Sequence, residues 1–172
     1  PWSSIIRVSS YFGIRSVGVR QGRVTLNGDA TYLRMMLDQG YWPESLLTPP
    51  SDEAIQYDIR MTKEMGFNGA RKHQKVEDPR FIYWADRMGL LVSGEMANAY
   101  VYDEDYAARF TREWIEAVER DINSPSVVVW APINESWGTP DLSDPRQQAH
   151  LKSLYQLTHS LDGTRPVIDN EG

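Results

Sequence analysis

The chain has no cysteine among its 172 residues, so disulfide frameworks, thiolate nucleophiles and cysteine-based metal sites are excluded together. It has no apolar run near the ~20 residues of a membrane-spanning helix. Its 18 Lys and Arg are scattered among 24 Asp and Glu for a net charge of −6, and no basic stripe points to nucleic acid. No glycine-rich loop follows the first core strand, which counts against a nucleotide-binding doubly wound fold. The chain opens at Pro1 without Met or a basic-then-apolar leader. It therefore reads as an excised piece, and the compartment, cytoplasmic or secreted, stays open.

What is present is ordinary for a globular domain: 41% hydrophobic and 24% charged residues, enough for one sizeable core. Two zones differ in period. Ile5-Ile6-Arg7-Val8, Tyr11-Phe12-Gly13-Ile14-Arg15 and Arg23-Val24-Thr25-Leu26 alternate as strands, Asn27-Gly28 is a hairpin signal, and Thr31-Tyr32-Leu33 resumes the strand. Residues 1–30 thus read as a short antiparallel segment at a junction with a preceding sandwich domain, and residues 31–172 as a second unit.

In that second unit strands and helices alternate. Buried strands are expected over Leu33–Leu37, Asn68–Lys72, Leu90–Ser93, Val127–Pro132 and Arg165–Asp169. Helices are expected from a Ser51 cap to Met65, with Ile55, Ile59 and Met65 on one face, and from Asp78-Pro79 to Met88. Two more follow over Glu104–Ile122 and from Asp144-Pro145 through Leu151, Leu154, Leu157 and Leu161. Lys63-Glu64-Met65-Gly66-Phe67 and Asp86-Arg87-Met88-Gly89-Leu90 repeat one helix-end, glycine, strand-start device. The pattern implies a parallel sheet with right-handed crossovers: either an open doubly wound sheet or about five βα units of an eight-stranded barrel.

Val127-Val128-Val129-Trp130-Ala131-Pro132-Ile133 ends in Asn134-Glu135-Ser136-Trp137. A carboxylate at the carboxyl end of a buried parallel strand sits where α/β barrels place their chemistry. Trp137 offers a flat face on which a sugar ring can stack, and Trp42 and Tyr100 also fall beside loops. Burial of Glu135 between Trp130, Trp137 and the barrel wall would favour its protonated form.

These residues resemble the catalytic region of glycoside hydrolase family 2, which includes β-galactosidases, β-glucuronidases and β-mannosidases. Tyr11-Phe12-Gly13-Ile14-Arg15 and Leu26-Asn27-Gly28 resemble the join between that family's immunoglobulin-like domain and its barrel. Asp58-Ile59 through Lys63-Glu64-Met65-Gly66-Phe67-Asn68, with Arg71 and Asp78-Pro79-Arg80-Phe81, resembles its second βα unit. Asn123-Ser124-Pro125-Ser126-Val127 leading to Asn134-Glu135 resembles its fourth strand. The resemblance implies a partial (β/α)8 TIM barrel of about five βα units and hydrolysis of O-glycosidic bonds by a retaining, β-galactosidase-like route. It makes Glu135 the general acid/base and Asn134 the contact to the sugar 2-hydroxyl. Arg71 is expected to hydrogen-bond the carboxylate network beneath the sugar, and Glu95 either to orient the site or simply to pair with Arg71; Asp38, His73 and Trp137 are further candidates for substrate binding.

The departures matter as much. Where family members often carry His, this chain has Gln39 and Gln74, with His73 one place early. After the third strand Asn98-Ala99-Tyr100-Val101 offers no metal-binding pair, so neither metal nor cofactor is expected. The family's nucleophile is a Glu on the seventh strand. Glu171, on the fifth, is the wrong strand for that role, so the nucleophile is expected outside the chain and these residues alone are expected to be inactive. A carbohydrate-binding or structural half-barrel is the alternative. Unpaired strand edges on such a half-barrel would favour a homo-oligomer.

Overall fold

The computed structural model describes residue 7 and residues 9–171. Ile5, Ile6 and Val8 of the first expected strand lie outside the described residues. An antiparallel sheet of β1 (Val17–Arg20), β2 (Arg23–Leu26) and β3 (Asp29–Ala30) comes first, in that spatial order. Asn27 and Gly28 take φ of 53° and 89°, the left-handed pair that a two-residue hairpin needs. A second turn at Gln21-Gly22, absent from the expected pattern, closes β1 on β2.

Tyr11–Arg15 is not a strand. It works through side chains: Tyr11 donates to Asp86 at 2.8 Å, and Arg15 donates to the carbonyls of Pro125 and Val127 at 3.2 and 2.7 Å. Of Thr31-Tyr32-Leu33 only Thr31 continues the pairing, its N–H on the Val24 carbonyl at 2.8 Å; β3 itself ends at Ala30.

The second sheet is parallel, in the order β4 (Met35–Asp38), β5 (Gly69–Lys72), β6 (Leu91–Glu95), β7 (Val127–Ala131). Helices α1 (Asp52–Glu64), α2 (Pro79–Met88), α3 (Glu104–Asp121) and α4 (Pro145–Leu161) follow the four strands in turn. Sequential strands are spatial neighbours throughout, which is the winding of a (β/α)8 barrel, here in part. Each helix starts on a side-chain cap: Ser51, Asp78, Asp103 and Asp144 accept from backbone N–H groups two or three residues on.

The fifth strand is weaker than the sequence suggests. Over residues 165–171 only two isolated bridges form, Trp130 to Val167 and Asn134 to Glu171. Pro166 has no N–H to give, so it contributes only its carbonyl, to Trp130 N at 3.1 Å.

Helix faces also differ in detail from expectation. On α1 Ile55 and Ile59 are buried as expected, but Met65 is exposed and Thr62 completes the buried face. In α4 the buried stripe is Gln147, His150, Leu154 and Thr158, spaced three or four apart, with Leu151 and Leu161 at its margin. Thr158 is buried because its hydroxyl accepts from Trp114 Nε1 at 2.8 Å.

Trp130 and Trp114 meet edge to face at 5.7 Å in the core between β7 and the helices. Trp130 lies over Gly94 of β6, where a Cβ would come within 2.5 Å of the indole. Below it sits a buried ion pair. Arg165, 4% exposed, reaches Asp162 and the carbonyls of Ile122, Ser124 and Val127. Burial alone would raise the Asp162 pKa. Hydrogen bonds from Thr164 and Trp130, with the Arg165 charge, outweigh it and hold the carboxyl down to about 2 from an ordinary 3.8.

The folded value lies below the unfolded one, so this stabilisation is complete above pH 3.8 and is lost as pH falls toward 2. Asp162→Asn should flatten that part of the stability profile in acid unfolding. At neutral pH it should cost about 3–5 kcal/mol, because it leaves Arg165 buried without its counter-ion.

Candidate active site

The carboxyl ends of β4 to β7 converge on one end of the sheet, and strand alternation sorts their side chains. In β5, Arg71 faces the barrel axis while Lys72 faces α2, its ammonium 3.9 Å from the Phe81 ring centre. Arg71 gathers the axis-facing groups. Its Nε is 2.9 Å from Glu95 of β6 and 3.1 Å from Glu171, and its Nη2 donates to Oδ1 of Asn134. Glu95 is fully buried and also accepts from the Gln74 N–H at 2.6 Å. Glu171 is raised, chiefly by burial and further by the Glu95 charge, with Arg71 pulling the other way.

Asn134 is wholly enclosed. Its N–H donates to Asn98 at 2.9 Å, its carbonyl accepts from Trp137 at 2.8 Å, and its amide nitrogen stands 3.2 Å from His73. Glu135 follows with φ of 48° and Ser136 with 59°, left-handed values uncommon for side-chain-bearing residues. The turn is held by Glu135 N–H on the Glu171 carbonyl and Ser136 N–H on Asn170, both at 2.8 Å.

The turn lifts Glu135 away from the wall. Its expected burial between Trp130 and Trp137 is not found: Glu135 is exposed, and Trp130 packs on the far side of β7 against the helices. Trp137 is 37% exposed and meets Tyr100 edge to face at 5.1 Å, a small aromatic wall on the same turn as Glu135. Among the described residues no three His, Asp or Glu stand close enough together to hold a metal ion.

The model of the glycosyl hydrolases family 2 TIM barrel domain matches residues 50–172. The chain belongs to glycosyl hydrolase family 2. It is 32% identical over 171 residues to a β-galactosidase of Vibrio cholerae and 28% over 165 residues to one of Lactococcus lactis, covering 92% and 90% of this chain. It spans about 15% of the length of either relative. Among solved structures it is similar to Bacteroides uniformis β-glucuronidase 3, with a TM-score of 0.79 and 26% identity over 91% of this chain and 21% of that one.

Within the family 2 barrel, Arg71, His73, Glu95 and Asn134 form one hydrogen-bonded group. Glu135 and Trp137 are exposed on the turn that follows Asn134.

Asp38 stands apart. It is held by Lys72 Nζ at 2.5 Å and the Gly40 N–H at 2.7 Å, and Lys72 is held in turn by Glu77 at 2.5 Å. This second cluster went unread in the sequence. A lysine inside a core strand signals it, since such a lysine must find carboxylates. Asn98, Asn170 and Glu171 were also unread as scaffold, because each acts through a loop contact distant in sequence.

Arg71→Met should leave Glu95 buried and unpaired. The expected cost is about 3–5 kcal/mol of stability, read as a lower urea midpoint, whereas Glu95→Gln should cost less because a neutral amide carries no uncompensated charge.

Proposed function

We propose that the parent protein hydrolyses β-glycosides, β-galactosides first among them, with retention of configuration. Glu135 serves as general acid/base. The observation that carries this reading is its position: an exposed carboxylate on a braced left-handed turn at the end of β7, next to Asn134 in the Arg71 clamp. Family membership and the β-galactosidase relatives support the same reaction class.

A retaining glycosidase needs a proton donor at the leaving oxygen and a second, ionised carboxylate ~5 Å away as nucleophile. Glu95 and Glu171 are both engaged on Arg71 and fit a scaffold better than a nucleophile. The second carboxylate then comes from the remainder of the parent protein. In this reading Trp137 and Tyr100 flank the sugar, Arg71 and Glu95 brace the floor, and Asp38 holds the frame through Lys72. Residues 1–30 belong to the junction with a preceding domain. The free edge of β4 and the exposed face of Leu37 are where other strands pair, those of the parent barrel or of a second copy.

Glu135→Gln in the parent protein should lower turnover of an unactivated β-galactoside by about 10²–10⁴-fold. An aryl glycoside whose leaving group departs without a proton should lose much less in the first step. Unchanged turnover on both substrates would remove Glu135 from the chemistry and leave a sugar-binding role.

A further inference from the structure

The ring of His73 is held on both sides. Its Nδ1 lies 3.0 Å from Nε2 of Gln39, just beyond the end of β4, and its Nε2 lies 3.2 Å from Nδ2 of Asn134. A neutral imidazole has one donor and one acceptor, and an imidazolium has no acceptor at all. Two amide NH2 groups therefore cannot both donate to this ring.

Arg71 decides which one does. A guanidinium only donates, so its contact with Oδ1 of Asn134 turns the NH2 of that amide toward His73. Nε2 of His73 must then accept, which puts the single ring hydrogen on Nδ1. Gln39 must meet Nδ1–H with its carbonyl oxygen, its amide turned end for end from the placement that sets Nε2 on the ring, and its NH2 then takes the exposed position.

What lies outward is open. Gln39 and His73 line a groove of about 660 Å³ together with Tyr41, Gln74, Lys75 and Tyr100. Asn134 has no exposed surface and, like Glu135 and Trp137, does not line this groove; Tyr100, packed on Trp137, joins the groove to the Glu135 turn, and Gln39 and His73 are the polar groups it presents from the Arg71 network. Lys75 is already committed to Glu77 at 2.9 Å and to the carbonyls of Gly40 and Leu47 at 2.9 and 2.7 Å.

We propose that His73, held as the neutral Nδ1–H tautomer by Arg71 through Asn134, orients the Gln39 amide to donate its NH2 to a glycone hydroxyl oxygen. His73 is a positioning residue, and Gln39 is the specificity-determining contact. The inference rests on the glycosidase reading above and adds to it the polarity of one subsite.

The parent enzyme tests it in two ways. In solid-state NMR with ¹⁵N-labelled histidine, the His73 signal, assigned by its loss in His73→Gln, should show a protonated Nδ1 and a bare Nε2 at neutral pH. A bare Nδ1 or a doubly protonated ring overturns the proposal. In kinetics, His73→Leu should raise KM at least about tenfold with kcat changed much less, since it leaves both amides without a partner. His73→Gln, which can accept from Asn134 and donate to Gln39, should restore KM to within a few-fold of the parent value. His73→Lys, a donor only, should not. Equal losses in the Leu and Gln variants, or no change in either, overturn the proposal. Glu135→Gln keeps the two readings apart: if it leaves turnover intact the glycosidase reading fails, while the tautomer measurement still stands or falls on its own.

Discussion

Taking a guanidinium out of water costs several kcal/mol unless its donors meet acceptors, and the site is built around meeting that demand at Arg71. Glu95 and Asn134 accept its hydrogens from β6 and from the turn after β7, and Glu171, from the irregular fifth segment, adds a carboxylate at 3.1 Å that pairs by charge without a hydrogen bond. These segments are brought to one point by parallel winding, and none is near Arg71 in sequence. The clamp also sets polarity. Because an arginine never accepts, it orients the Asn134 amide and, through it, the hydrogens of His73 and Gln39.

A second group of charges does a separate job on the opposite side of the same strand. Lys72 points the other way from Arg71, across Phe81, with Asp38 and Glu77 both at 2.5 Å. Period-two alternation makes this division possible: adjacent basic residues in β5 serve different faces. One joins the axis-facing groups. The other ties the ends of β4 and β5 to the loop before α2, so that Gln39, next to Asp38, is presented from a fixed point.

Most of the parallel unit was legible in the sequence because its signals are local. Asp78-Pro79 and Asp144-Pro145 open helices where the cap rule puts them, and Asn27-Gly28 makes its hairpin. The misreadings share a cause. Tyr11–Arg15 alternates like a strand, but it is fastened through side chains to Asp86, Pro125 and Val127, partners roughly seventy to a hundred and ten residues away. Met65 fits the apolar pattern of α1 yet lies past the buried face. In the site, residue types and the Arg71–Glu95 pairing were legible, and the other partnerships were not. The family resemblance at the strand ends implies Asn134, Arg71 and Glu95, but nothing local says that Asn134 is enclosed, that Asp38 faces a lysine, or that Glu135 turns outward.

The outward turn of Glu135 depends on Glu171. That residue gives its side chain to the Arg71 clamp, its carbonyl to the Glu135 N–H and its own N–H to the Ile133 carbonyl at 2.9 Å. Left-handed backbone at Glu135 and Ser136 is costly for residues with side chains and persists only when neighbours over-determine it. Here Glu171 and Asn170 do so. The aim of the exposed carboxylate and the floor beneath it are therefore set by one short segment. One residue thus serves both features, its main chain bracing the Glu135 turn and its carboxylate standing beside the guanidinium that orients Asn134.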